Sequence, residues 1–181
     1  MRIVGGDLKG RRFSPPASFR ARPTTDMAKE NLFNILSNFI DFEETTALDL
    51  FAGTGSISYE FASRRCKKVV SIEKGFHHYK FICKCIEELE LSKTVTPHRQ
   101  DVFTYLKKHN ETAFDLIFAD PPFELHNLQD IPQLVRESNL LHPSGLFILE
   151  HGPNYDFSKE PDFSQMRHYG KVYFSFFEKT N

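Results

Sequence analysis

From about residue 46 onward the apolar positions keep two alternating rhythms. "TALDLF" (46 to 51) is a continuous apolar run with one interior acid, and reads as a buried strand. "GSISYEFASRR" follows with helical spacing, "KKVVSIE" (67 to 73) with strand character, and "HHYKFICKCIEELEL" again with helical spacing. The alternation continues through a weaker strand near "VTPHRQ", demoted by Pro97, the short helix "VFTYLKKH" and the strong strand "FDLIFAD" (114 to 120). A helix over 127–141, interrupted by Pro132, is expected next, then the strand "GLFILEH". The chain closes on a hairpin, "QMRHY" with "KVYFSFFEK", turning at Gly170. Strands that alternate with helices make an α/β domain, its sheet mostly parallel and covered on both faces, with an antiparallel edge from the closing hairpin.

Ahead of this block the rhythm differs. Ala28, Leu32, Ile35, Leu36 and Phe39 recur at helical spacing, with Thr25 or Asp26 available as a cap. "MRIVGG" and "KGRRF" read as two short strands about a turn, and "SPPASFRARP" is too rich in Pro, Ser and Arg to form a core of its own. The expected division is residues 1–23 as a basic hairpin and linker, and residues 24–181 as the main domain.

Composition sharpens this picture in three places. At 181 residues one domain can bury roughly 70% of its unfolded surface, so no disulfide or metal is needed to hold it. No apolar run approaches the roughly 20 residues that cross a bilayer, and "MRIVGGDLKGRR" has no secretory pattern, so a soluble cytoplasmic protein is expected, with no membrane partner. Cys66, Cys83 and Cys85 form no C-x-x-C pair, and the adjacent His77 and His78 point about 100° apart on a helix, so neither group calls for a metal.

Charge is uneven along the chain. Net charge is −1, yet residues 1–23 hold Arg2, Lys9, Arg11, Arg12, Arg20 and Arg22 against the single acid Asp7. Such an arm suits a local anion, as a phosphate backbone would supply.

Two loops carry the candidate chemistry. "LDLFAGTGS" sets Asp49, Phe51, Gly53 and Gly55 where the first strand meets a helix, and glycines there let backbone approach a ligand closely. Glu73 ends the second strand, eighteen residues after Gly55, where a carboxylate can accept from both ribose hydroxyls of a nucleoside. Asp101 follows the third strand and can receive an adenine amino group. Ser58 stands where the third glycine of G-x-G-x-x-G would be, which favours a nucleoside cofactor without phosphates over a dinucleotide. S-adenosylmethionine is such a cofactor.

The second loop is "DPPF", Asp120 to Phe123. If the first and fourth strands are neighbours, it faces "FAGTG" across the crevice where an open sheet reverses its winding. Asp120 and the Pro121 carbonyl then accept the two hydrogens of an exocyclic amine, aligning its lone pair on a methyl donor. Phe123 offers a stacking face, typically worth ~1–3 kcal/mol per base, with Pro122 beside it. Either Asp120 or water takes the amine's proton.

With "FAGTG" and "DPPF" in this order the chain resembles the class I S-adenosylmethionine-dependent methyltransferases, whose amino-methylating members carry D-P-P-Y/F or N-P-P-Y/F. "MRIVGGDLKGRRF", "RPTTDMAKENLFNIL" and the closing "GKVYFSFFE" make it similar, over essentially its whole length, to the RsmD-type bacterial enzymes that methylate N2 of one guanine in small-subunit ribosomal RNA. That likeness implies a Rossmann-like, seven-stranded fold. It implies that Asp49, Phe51, Gly53, Gly55, Glu73 and Asp101 hold S-adenosylmethionine, and that Asp120, Pro121 and Phe123 grip the guanine. Arg11, Arg12, Arg22, Thr24, Asp26 and Pro122 would border the RNA, and a monomer would act on ribosomal RNA within an assembling small ribosomal subunit. Met27, Ala28, Gly75 and Cys85 depart from residues common in that family. An adenine-N6 DNA methyltransferase fits the same loops, but this chain has no visible recognition domain. An RNA-binding assembly factor with a vestigial pocket is the reading from another class.

Overall fold

A computed structural model describes residues 1–17, 19, 25–108 and 113–179. Its centre is a seven-stranded sheet, built from β1 (Thr46–Leu50), β2 (Lys68–Glu73), β3 (Val95–Arg99), β4 (Phe114–Ala119), β5 (Leu141–His151), β6 (Phe163–Tyr169) and β7 (Val172–Glu178). The strand order is β3-β2-β1-β4-β5-β7-β6. The first five strands run parallel, and β7 returns antiparallel between β5 and β6. The helices are α1 (Asp26–Leu36), α2 (Ser56–Ser63), α3 (Phe76–Glu88), α4 (Val102–Lys108) and α5 (Ile131–Glu137).

Strand side chains divide strictly between the two faces. Ala47, Val69, Leu116, Phe118 and Ile148 join one core with residues of α1, α2 and α3. Leu48, Val70, Ile117, Ala119 and Leu149 join the other with residues of α4 and α5. The period of two that makes this division also explains why the central strands β1 and β4 read as nearly continuous apolar runs, since neither of their faces meets water.

Several expected elements change in detail. β3 is complete despite Pro97, because it is the sheet's edge strand and a missing N–H on the open side costs no ladder bond. Pro132 does not interrupt a helix; it sits in the first turn of α5, where the missing N–H would have had no helical acceptor. A single 3-10 turn, Leu128–Asp130, precedes it. β5 begins at Leu141, earlier than Gly145, with an irregularity between its pairings to Phe114 and Leu116. Phe39 lies beyond the end of α1 and is 44% exposed, stacking on Phe176. Thr25, not Asp26, caps α1 by accepting from the Ala28 N–H.

The two N-terminal strands reduce to one bridge, Arg2 with Arg12, supported by Ile3 N–H to Arg11 O and Phe13 N–H to Met1 O. This segment is anchored nonetheless. Ile3, Val4 and Phe13 are buried, Phe13 meets Tyr59 of α2 edge-on at 5.1 Å, and the Val4 N–H donates to Glu60 Oε1. A network links it to two helices: Lys29 Nζ donates to Arg2 O at 2.6 Å, to Ser56 Oγ at 3.2 Å and to Glu60 Oε1 at 3.2 Å, while Arg64 Nη1 holds Glu60 Oε2 at 2.5 Å.

Candidate methyl-transfer site

The carboxyl ends of β1, β2 and β4 lie side by side, because β1 pairs with both β2 and β4. The chain leaves β1 through a strained turn. Phe51, Gly53 and Gly55 have φ of 60°, 56° and 80°, and the Gly55 N–H returns to Ala52 O at 2.7 Å. Gly55 has no substitute here, since a Cβ would stand 2.4 Å from Tyr59 Oη. The Tyr59 hydroxyl itself donates to Thr54 O, fixing the loop from below.

Glu73 joins the first two loops. Its Oε2 accepts from the Gly53 N–H at 2.9 Å and its Oε1 from the Gly75 N–H at 2.6 Å. A carboxylate has about four acceptor positions, so acceptor capacity remains for hydroxyl donors of a ligand. Gly75 gives Glu73 room: a Cβ there would lie 2.8 Å from Oε1. Asp101 caps α4 through Oδ1, which accepts from the Thr104 N–H at 3.1 Å. Its side chain is half-buried at the same end of the sheet.

Asp49 lies beneath this surface. It is 1% exposed, and Ser58 Oγ donates to its Oδ2 at 2.5 Å, with Ser71 Oγ next in line at 2.6 Å. Burial pushes its pKa up to about 7; the Ser58 bond opposes that rise, and the charges of Asp120 and Glu73 add to it. Asp49 thus feels the charges of both Asp120 and Glu73, and a cationic ligand beside it would offset that repulsion.

Asp120 follows β4, its N–H directed at Leu50 O at 3.4 Å, and its side chain is half-buried. Pro121 is buried, Pro122 is exposed, and Leu125 N–H closes the turn on Pro122 O at 2.9 Å. Phe123 is 56% exposed, and its ring lies over Gly152, where a Cβ would come within 3.6 Å of it. His151, buried just before Gly152, fixes that floor. Its Nδ1 is 2.8 Å from Gly152 O and its Nε2 2.8 Å from Ser175 Oγ. Burial lowers its pKa, so the ring is neutral at pH 7, with Nδ1–H donating to the carbonyl and Nε2 accepting from the Ser175 hydroxyl.

The basic arm is divided. Arg11 Nη2 donates to Glu88 O, at the last turn of α3, the end of that helix far from Gly75. Arg12 is exposed on the hairpin, and Asp26 pairs with Arg2 Nε at 2.7 Å. Arg22 and Thr24 lie outside the described residues.

Two contributors escaped the motif reading. Phe103 meets the Phe51 ring edge-on at 6.2 Å and so borders the glycine loop beside Asp101, a position marked in sequence only by its closeness to that acid. Gly152 was legible only as the glycine ending "LEHG" after the fifth strand. A surface hollow of about 730 Å³ lies elsewhere, lined by residues such as Asp7, Asp41 and Arg65 at the amino ends of β1 and β2. Among the described residues, no three His, Cys, Asp or Glu side chains are grouped to hold a metal ion, and no helix is long and apolar enough to cross a membrane.

A glycine turn after β1, an acid ending β2 and a D-P-P-F loop after the neighbouring β4, on a sheet with one antiparallel strand inserted near its end, define the Rossmann-like class I methyltransferase fold. The family model described as "Conserved hypothetical protein 95" matches residues 1–178. A "Ribosomal RNA small subunit methyltransferase D" of Haemophilus influenzae is 34% identical over 152 residues, 83% of this chain and 78% of that protein. Among solved structures, a hypothetical protein of Thermus thermophilus superposes with a TM-score of 0.87 at 24% identity, covering 98% of this chain and 99% of that one. A 16S rRNA N2 G1207 methyltransferase of T. thermophilus, in complex with AdoMet and guanosine, shares the fold with a TM-score of 0.73 at 22% identity, covering 99% of this chain and 49% of that one. The chain belongs to the RsmD-type methyltransferase family.

Proposed function

We propose that this protein transfers a methyl group from S-adenosylmethionine to the N2 amine of a guanine in small-subunit ribosomal RNA. The observation that carries the reading is Asp120. It stands at the end of β4, beside β1 and its glycine turn, close enough to Asp49 to raise that residue's pKa. Relatives named as small-subunit rRNA methyltransferases support the substrate. Such a substrate puts the reaction in the bacterial cytoplasm.

The donor set fits the cofactor. Glu73 keeps acceptor capacity for ribose hydroxyls, Asp101 for an adenine amino group, and the acids Asp49 and Glu73 suit a cationic ligand. When bound, S-adenosylmethionine supplies an electrophilic methyl group. The protein's part is alignment. The Asp120 carboxylate and the Pro121 carbonyl accept the two N–H bonds of the guanine amine, whose lone pair is otherwise delocalised into the ring, and Phe123 stacks on the base. Positive charge that develops on the amine is stabilised by Asp120, and Asp120 or water takes the released proton.

Asp120→Ala should lower methyl transfer to undermethylated small subunits by ~100-fold or more, with the affinity for S-adenosylmethionine in calorimetry largely kept. Retained activity would remove Asp120 from the mechanism. Labelling of DNA with unlabelled RNA would replace this substrate by the DNA adenine alternative.

A further inference from the structure

A hollow of about 650 Å³ opens beside Gly75, between the start of α3 and Ser14, Pro16 and Phe19. Its walls include Phe19, Phe76, His78, Lys80, Phe81 and Lys84. Phe19 crosses it, lying 4.1 Å from the His78 ring and edge-on to Phe81 at 5.6 Å. Phe76 is 43% exposed and joins neither core. Two cations attend it: Lys80 Nζ is 4.7 Å and Arg99 Cζ 5.0 Å from its ring centroid. Lys74 is exposed beside Phe76, and Lys84, one turn beyond Lys80, pairs with the exposed Glu88 at 3.5 Å. An exposed surface ion pair of that kind is weak and readily exchanged for a phosphate.

An aromatic face ringed by ammonium and guanidinium groups has the chemistry of a single-stranded nucleic-acid site: bases stack on the ring while cations meet the backbone. The exposed cations lie on long flexible stems, so a base can replace one of them at the ring and the released cation can turn to a phosphate. We propose that this hollow binds an unpaired ribosomal RNA nucleotide flanking the target guanine, its base on Phe76 and its neighbouring phosphates on Lys80, Lys84 and Arg99. Ser14, Pro16 and Phe19 form the wall facing α3, so one strand would lie between them and α3. The inference rests on the RNA methyltransferase reading and extends it to a second contact.

The probe is a fluorescently labelled single-stranded oligouridylate, titrated by anisotropy across a range of salt. Phe76→Ala should weaken binding about 5- to 150-fold. Lys80→Ala combined with Lys84→Ala should make the slope of log affinity against log salt shallower by about 1.4. Affinity for S-adenosylmethionine and Tm should stay near wild type, since these side chains are exposed. Variants that keep wild-type RNA affinity and salt slope overturn the proposal, even if Asp120→Ala has abolished methylation and so upheld the function. Loss of affinity for the small subunit alone, with the oligonucleotide bound as before, assigns the hollow to a protein and overturns it equally. An active Asp120→Ala enzyme would instead count against the catalytic assignment, leaving the binding defect to be read by itself.

Discussion

Lys29 ties the N-terminal hairpin to two helices, and its replacement by methionine tests whether that tie matters. The side chain is 1% exposed and donates to Arg2 O, Ser56 Oγ and Glu60 Oε1, so the substitution removes a donor from three acceptors, one on the hairpin and two on α2, while keeping length and helix propensity. Breaking a buried ion pair usually costs ~3–5 kcal/mol, because the remaining charge is left without compensation. Glu60 is not wholly abandoned here: Arg64 holds its other oxygen and the Val4 N–H still donates to it. The expected loss is therefore lower, ~2–4 kcal/mol, which for a domain of this size is a fall in Tm of ~4–16 °C. With no Trp in the chain, urea unfolding is best followed by far-UV circular dichroism. Adding Glu60→Gln to Lys29→Met completes a cycle, and a coupling of at least ~1 kcal/mol is expected for groups in direct contact. A Lys29→Met protein within about 0.5 kcal/mol of wild type, at unchanged m-value, would refute the network as an anchor.

Two further substitutions probe the site. The Asp49 carboxyl is held up at about 7, so the folded protein binds its proton more tightly than the unfolded chain does, and this residue costs stability as pH rises from about 4 to about 7. Asp49→Asn should gain on wild type over that interval by up to ~4 kcal/mol, seen in Tm across pH; parallel curves would show that Asp49 ionises normally. Gly55→Ala must place a Cβ at φ 80° and 2.4 Å from Tyr59 Oη, so a loss of ~2 kcal/mol or more is expected, along with weakened cofactor binding in calorimetry. Wild-type Tm and affinity in that variant would show that the turn relaxes freely.

Much of the fold was legible because its signals are local. Nearly continuous apolar runs at 46–50 and 114–119, each with one acid, mark strands buried on both faces, and helical spacing over 76–88 marks α3. Glycine at 53 and 55 announced positive φ, and Gly170 a two-residue hairpin turn, since only a residue without Cβ adopts those angles cheaply. Pro97 and Pro132 misled for one reason. The cost of a missing N–H depends on whether a partner was needed at that place, and an edge strand or a helix's first turn needs none.

Residue types and their order along the chain determined the candidate chemistry: glycines after one strand, an acid after the next, and an acid with two prolines after the fourth. Only the tertiary structure decided that β1 lies between β2 and β4, which brings Glu73 and Asp120 within electrostatic reach of Asp49. It also tied Glu73 to the Gly53 and Gly75 amides, set Gly152 beneath Phe123, and carried Arg11 to the far end of α3. Backbone preference acts over a few residues and can be read in a short window. Strand order and cross-strand neighbours depend on how the whole chain closes its two cores around one sheet, and no short window contains that.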